Sequence, residues 1–295
     1  MTITRPSTSM GNLPLMIAVD AGYFERNGIE GETVLMTSDR AMAAVASGEI
    51  HYVAGVGTAS VAAAANGLPI KAAWFSASSP AYTIYGRPEI KTIEQVRGKR
   101  AGVPGFGGTS AMALTLALRH FGIDSARDLT VLQIGTDDLL IEALRGGSID
   151  VTLFNAPQSL TARQEGFTPL ADVAKLVQLP LGGLSISTDT LEHRRDEARR
   201  VVRALMQAQQ WVIHNRDDAV AVIMQTFNVD RATAEGTYDE TVPTFQGNGQ
   251  VSREGIENLL QALREAGRFG NEVTYEDVAD PQLAQEVGRE LGLIP

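Results

Sequence analysis

The 295-residue chain contains no cysteine. That absence removes the thiolate nucleophile, the iron–sulfur cluster, the zinc–cysteine site and the disulfide. Aromatic residues are scarce, at 6%. Basic residues form no stripe and are outnumbered, 25 Lys and Arg against 35 Asp and Glu, for a formal net charge of −10. Phosphate neutralisation supplies most nucleic-acid affinity, so nucleic acid is not an expected partner. A run of about 20 greasy residues, enough to span a bilayer, is missing too. The longest uncharged stretch, Ile50 to Ile70, is broken by Thr58, Ser60, Asn66, Pro69 and three glycines, and reads as strand, loop and buried helix. The opening Met1-Thr2-Ile3-Thr4-Arg5-Pro6 shows neither the charged nor the apolar segment of a signal peptide, so none is expected in this chain. His51, His120, His193 and His214 are dispersed without metal-ligand spacing and are expected to be structural. No G-x-S-x-G elbow supports a serine triad.

What is present is an ordinary globular composition, 44% hydrophobic and 20% charged, with 29 glycines. At roughly 150 residues per domain the length suggests two. An internal repeat supports that division. Thr37 and Thr136, Ala44 and Ala143, Gly48 and Gly147, and Ile50 and Ile149 are each 99 residues apart. Each copy reads as strand, polar loop, helix ending in Gly, short strand, polar loop and helix ending in Gly. Upstream, Ile3-Thr4 leads into Ser7-Thr8-Ser9-Met10-Gly11 and a helix from Pro14 to Phe24. Likewise Ala101-Gly102-Val103 leads into Gly105 to Ser110 and a helix from Ala111 to Phe121. Strands alternating with helices imply parallel sheets whose carboxyl-end loops line a ligand crevice. The expected fold is α/β with two Rossmann-like lobes joined by two hinge strands, 76–85 outward and 181–187 back. Residues 1–80 plus 187–295 form one lobe and 81–186 the other, with a ligand cleft between them. Val201, Val202, Leu205 and Met206 carry helical spacing and need an apolar partner in the first lobe.

Gly55-Val56-Gly57-Thr58-Ala59-Ser60 half resembles a dinucleotide fingerprint, but Ser60 replaces the third glycine and no acidic residue follows about 20 positions on. Gly98-Lys99-Arg100 lacks the Ser/Thr and upstream glycine of a phosphate-binding loop. No cofactor and no metal are expected. Gly107-Gly108-Thr109-Ser110 opens an uncharged helix, where free N–H groups and the dipole favour an anion; simple capping by Thr109 or Ser110 is the competing reading. Ser7-Thr8-Ser9 holds the matching place in the first copy, and Thr58 and Asn155-Ala156-Pro157 form a further matching pair. Phe75, Phe106 and Phe154 fit either aromatic crevice walls or core. Trp74 is expected at the lip of the first lobe and Trp211 on a core helix. Asp39, Asp137 and Asp138 stand where helix caps stand.

Asp20-Ala21-Gly22-Tyr23-Phe24 with Gly28-Ile29, Ala46-Ser47-Gly48-Glu49-Ile50, Asn66-Gly67-Leu68-Pro69, Val96 to Val103, Ala143 to Asp150, Trp211 to Asn215 and Gly249 to Ile256 together resemble the periplasmic solute-binding proteins of ABC importers. The sulfonate, taurine, nitrate and thiamine-precursor group is the nearest in look. The resemblance implies a type II periplasmic-binding fold and an extracytoplasmic monomer. It would capture a small organic anion (a sulfonate, carboxylate or aromatic acid) and deliver it to the membrane subunits of an ABC permease. Carried over by position, the implied ligand contacts are Ser9, Met10, Gly11, Thr58, Trp74, Gly108, Thr109, Ser110, Asn155 and Pro157. His51 departs from the Asp usual in the first Gly-x-Ile-Asp copy. Some relatives of this fold are enzymes, so the alternative is catalysis on a small aromatic or pyrimidine-like substrate, with His51 or an aspartate as base.

Overall fold

The computed structural model describes residues 1–5, 9–55, 57–270 and 272–295; Ser7, Thr8, Val56 and the side chain of Asp39, all singled out above, lie outside the described residues. The chain packs into two compact units. Met1–Ser78, Leu179–Ala219 and Phe245–Pro295 make the first, and Ser79–Gln178 with Val220–Thr244 the second. The first unit runs β1 (Thr2–Arg5), α1 (Leu13–Asp20), β2 (Glu32–Leu35), α2 (Ser38–Ala46), β3 (Tyr52–Ala54), α3 (Thr58–Ala65) and β4 (Ile70–Trp74). The second runs β5 (Thr83–Gly86), β6 (Arg100–Val103), α4 (Thr109–His120), β7 (Thr130–Gln133), α5 (Asp137–Arg145), β8 (Val151–Phe154), α6 (Gln158–Gln164) and β9 (Thr168–Asp172). The remaining chain supplies β10 (Leu184–Ser187), α7 (Arg195–His214) and α8 (Arg231–Thr241).

The two five-stranded sheets have orders β2-β1-β3-β10-β4 and β7-β6-β8-β5-β9, the same arrangement position for position. β1 pairs parallel with β2 and β3, and β6 with β7 and β8. The sheets are nevertheless mixed, contrary to the parallel expectation. β10 runs antiparallel between β3 and β4, and β5 antiparallel between β8 and β9. Each of these strands enters its sheet directly from the other unit, without the helical crossover that keeps strands parallel.

Apolar spacing decides how the helices lie. α7 buries Val201, Val202, Leu205, Met206 and Val212 along one face and packs against α1, which buries Leu13, Leu15, Met16 and Ile17. Each such side chain contributes roughly 1.5–3 kcal/mol when fully covered. The stretch 220–244, which the sequence pattern groups with the first lobe, packs in the second unit. There Ser159 Oγ on α6 donates to Glu240 Oε2 on α8 at 2.6 Å, and Arg163 pairs with Glu240 at 2.8 Å. Gly236 on α8 leaves room for Leu160; a Cβ there would stand 2.9 Å from Leu160 Cδ1. The chain therefore passes between the units after Ser78, within the expected segment 76–85, after Gln178, ahead of the expected segment 181–187, and twice more around 220–244.

Within the first unit, the departing and returning segments meet backbone to backbone. Buried Ser76 donates its hydroxyl to the carbonyls of Gly11 and Leu181, each at 2.9 Å, while Ala77 and Leu181 exchange N–H···O bonds at 3.2 Å. Gly183, at φ +109°, accepts from Gly55 N–H at 2.9 Å. A Cβ on Gly183 would lie 2.2 Å from the Trp74 carbonyl oxygen and 2.9 Å from Phe75 Cα. Gly48 also has positive φ, but a Cβ there meets nothing within 4 Å. Gly183→Ala is therefore expected to cost more than about 3 kcal/mol in urea unfolding, and Gly48→Ala about 1–2 kcal/mol from backbone strain alone. Equal losses would show that the close approach at Gly183 is relieved at little cost.

Candidate functional site

Four helices begin after the carboxyl ends of inner strands: α1 after β1, α3 after β3, α4 after β6 and α6 after β8. Their N-cap residues, Asn12, Gly57, Gly108 and Pro157, make no side-chain cap. Three helices elsewhere carry a side-chain cap, whereas α2 and α7, with N-caps Thr37 and Arg194, do not. Thr136 Oγ1 accepts from Leu139 N–H at 3.4 Å on α5, Asp230 from Thr233 N–H at 2.8 Å on α8, and Ser252 from Gly255 N–H at 3.1 Å on the helix Arg253–Glu265. The first N–H groups of a helix need an acceptor, and the dipole makes an anion a good one. Uncapped starts at strand ends thus offer hydrogen-bonding positions to an acceptor.

α4 shows this most fully. Gly108 N–H closes a turn onto Gly105 O at 3.2 Å, the 12-residue helix then starts, and Thr109 and Ser110 stay half-buried rather than capping it. The capping alternative for these hydroxyls is not what the structure adopts. Phe106, on the loop just before, is 61% exposed.

The other residues named from sequence divide. Ser9 is half-buried and accepts through its carbonyl from Asn12 N–H at 2.9 Å; Asn155 is half-buried and accepts through its carbonyl from Ser159 N–H at 3.0 Å, beside half-buried Pro157. Thr58 is buried with its hydroxyl unpartnered. Met10 is core. Gly11 is held against the returning backbone, its carbonyl accepting from Ser76, and a Cβ on it would lie 3.4 Å from Gly182. Trp74 does not stand at a lip. It is 1% exposed, closed over by Gly249 and Met206, with Nε1 unpartnered. Phe75 and Phe154 are likewise core.

A second feature lies wholly in the first unit and was not legible in any motif. At the strand ends, Thr4 of β1, Val53 of β3, Met36, Met42 of α2, and Ala59 and Ser60 of α3 line a small pocket of about 10 Å³, room for about one water molecule, open on one side. Thr4 is 0% exposed, and its hydroxyl has no partner. His51, the candidate base, is at the opposite end of the sheet. It precedes β3, and its Nδ1 lies 3.0 Å from Ser187 Oγ. Next to it Tyr52 Oη donates to Glu197 at 2.7 Å, and burial with that carboxylate pushes the phenol well above its ordinary range. Among the described residues, no cluster of three or more His, Asp or Glu could hold a metal ion, and no helix is long and apolar enough to cross a membrane.

With this geometry in hand, comparison with known proteins is direct. The NMT1/THI5-like family model matches residues 10–219. The chain belongs to that family. The riboflavin-binding protein RibY of Chloroflexus aurantiacus is 25% identical over 224 residues, 72% of this chain; the chain spans only 62% of the length of that curated relative. The alkanesulfonate-binding protein SsuA of Xanthomonas axonopodis pv. citri, solved with MOPS, superposes with TM-score 0.78 at 18% identity, covering 94% of this chain and 97% of that one. The desulfurization enzyme DSZB superposes with TM-score 0.68 at 14% identity, covering 98% and 99%. The fold of this family member is thus the periplasmic-binding-protein fold. Several such neighbours are solute-binding proteins, and an enzyme shares the fold.

In the second unit, Asp137 opens α5 half-buried beside Asp138 and Tyr82. Burial first, then Asp138, raises its carboxyl above the ordinary value. A raised folded-state pKa means the carboxylate form is disfavoured by folding, so the stability it withholds grows as pH rises above the ordinary carboxylate range. Asp137→Asn is expected to raise the melting temperature at pH 7 and to leave it unchanged below about pH 3.5, where both states are protonated. A gain that persisted at low pH would trace to something other than this charge.

Proposed function

We propose that this protein is the extracytoplasmic solute-binding component of an ABC importer, a monomer that captures a small organic anion and delivers it to permease membrane subunits. The observation that carries the reading is the start of α4. A 12-residue helix opens at the end of an inner strand with a glycine at its N-cap, no side-chain cap, and two half-buried hydroxyls beside its free N–H groups. That arrangement suits a sulfonate or carboxylate without a counter-cation, as helix-start anion sites do. The proposed contacts are Gly108, Thr109 and Ser110 in the second unit with Asn155 and Pro157, and Ser9 and Thr58 in the first. Met10, Gly11 and Trp74 are left to packing. SsuA, named for alkanesulfonates, supports a small organic anion, while RibY, named for the larger and uncharged riboflavin, supports solute binding without bearing on charge.

The enzyme reading needs an acid–base pair at the strand ends, and its candidate base His51 sits at the other end of β3. Calorimetry with butanesulfonate tests the binder. Ser110→Ala should lose about 1.5–3 kcal/mol of binding, the range for a hydrogen bond to a charged partner. Unchanged affinity would remove the α4 start from the site. Mass spectrometry of recovered sulfonates should show no conversion, and protein-dependent multiple turnover would overturn the transport role.

A further inference from the structure

We infer that the cleft at the amino end of the first unit's sheet is a second ligand site, at the opposite end from the uncapped helix starts, and that it takes a small primary organic cation, an alkylammonium. The inference stands apart from the solute-binding reading above.

Thr2 of β1, Glu49, His51 and Tyr52 around the start of β3, and Arg194 and Glu197 at the start of α7 line this cleft together with Met1. Its volume is about 230 Å³. A water needs roughly 10–15 Å³ of such space, so a molecule of several heavy atoms fits.

The hydrogen bonds behind the cleft fix what it can accept. Ser187 is buried, and its Oγ donates to Thr190 Oγ1 at 3.0 Å, which commits its one proton. His51 Nδ1, 3.0 Å from the same Oγ, is therefore the donor, and the neutral ring keeps a lone pair on Nε2, on its other side. Glu197 Oε1 accepts from Tyr52 Oη at 2.7 Å and from Arg194 at 3.5 Å, while Oε2 has no partner among the described residues. The exposed Glu49 carboxylate has none there either. The donors, by contrast, are committed. Tyr52 serves Glu197, Thr2 Oγ1 donates to Glu32 at 3.2 Å, the Met1 ammonium to the Glu30 carbonyl at 2.7 Å, and Arg194 to Thr190 and Glu197.

The open positions are thus all acceptors: His51 Nε2, Glu197 Oε2 and Glu49. Arg194 offsets Glu197, and Glu32, bonded to Met1 and Thr2, offsets the Met1 ammonium, which leaves the Glu49 charge for a ligand. A primary ammonium brings three N–H donors and one positive charge. An anion would meet two carboxylates, and a quaternary ammonium would bring charge without donors. A metal ion is a poor occupant, since no three His, Asp or Glu among the described residues close around one point.

The test uses the full chain with ¹⁵N-labelled histidine, the His51 ring signals assigned among the four histidines from His51→Gln. The probes are propylammonium, tetramethylammonium and propan-1-ol. Propylammonium should shift the His51 Nε2 resonance while Nδ1 stays protonated, and should bind about tenfold tighter than tetramethylammonium, the worth of one good hydrogen bond. Propan-1-ol should leave the ring signals in place. Glu49→Gln, an exposed change that spares the fold, should weaken propylammonium about fivefold, as loss of one exposed charge pair does, and leave butanesulfonate affinity unchanged. Equal binding of the two ammonium ions, an unmoved Nε2 signal, or full propylammonium affinity in Glu49→Gln overturns the cation site and leaves the solute reading standing. Propylammonium binding as described in a protein that ignores butanesulfonate would instead uphold the cation site and sink the anion contact.

Discussion

Backbone packed on backbone at Ser76 is the contact on which the first unit depends. The chain leaves that unit just after β4 and returns just before β10, and the two segments touch where side chains would not fit. Gly182 has φ +69°, and a Cβ on it would fall 2.1 Å from Ser76 Oγ and 2.3 Å from the Gly11 carbonyl oxygen. One serine hydroxyl serves two carbonyls there, Gln246 N–H bonds Ser76 O at 2.9 Å, and Gln209 Nε2 reaches the same oxygen at 3.0 Å. Buried backbone polar groups must be satisfied locally, so this junction is built from glycines and amide bonds instead of apolar bulk. It is also what seats β10 between β3 and β4, and with it the parallel pair β1 and β3 whose ends hold the pocket.

Helix capping differs among the helices. A Thr, Asp or Ser side chain accepts from the first N–H groups of α5, α8 and the helix Arg253–Glu265, while α2 and α7 and the four helices that follow inner strands have no side-chain cap, three of those four because a glycine or proline stands at the N-cap. Removing a cap costs about 1 kcal/mol of stability per helix. The protein forgoes that contribution at four equivalent places, two per unit, as well as at α2 and α7.

Much of the fold was legible because the repeat is written in residues whose roles are local. Gly48 and Gly147 both adopt positive φ after α2 and α5, as helix-ending glycines must. The helical spacing of Val201 to Met206 announced a buried face, and α1 is its partner. The site was legible only in part. The glycine run before Thr109 could be recognised because an uncapped helix start has a local signature. Trp74 was misplaced because its position, at the end of a strand before a crossing, says nothing of what lies over it, and Gly249 arrives from 175 residues away.

The sequence by itself therefore determined the elements, their repetition and the exclusion of thiol chemistry, since these follow from composition and short-range order, and its motifs taken together carry the family resemblance. Only the tertiary structure decided that residues 220–244 join the second unit, that β5 and β10 run against their neighbours, and that the Gly11 carbonyl accepts from Ser76. It alone decided, too, that Thr4, Met36, Met42, Val53 and Ala59 face one space. None of those residues carries a motif. They meet because parallel strands bring distant positions to the same end of a sheet, and which alternate residues point there depends on the register of Thr4 against Val53, a long-range pairing that no local pattern encodes.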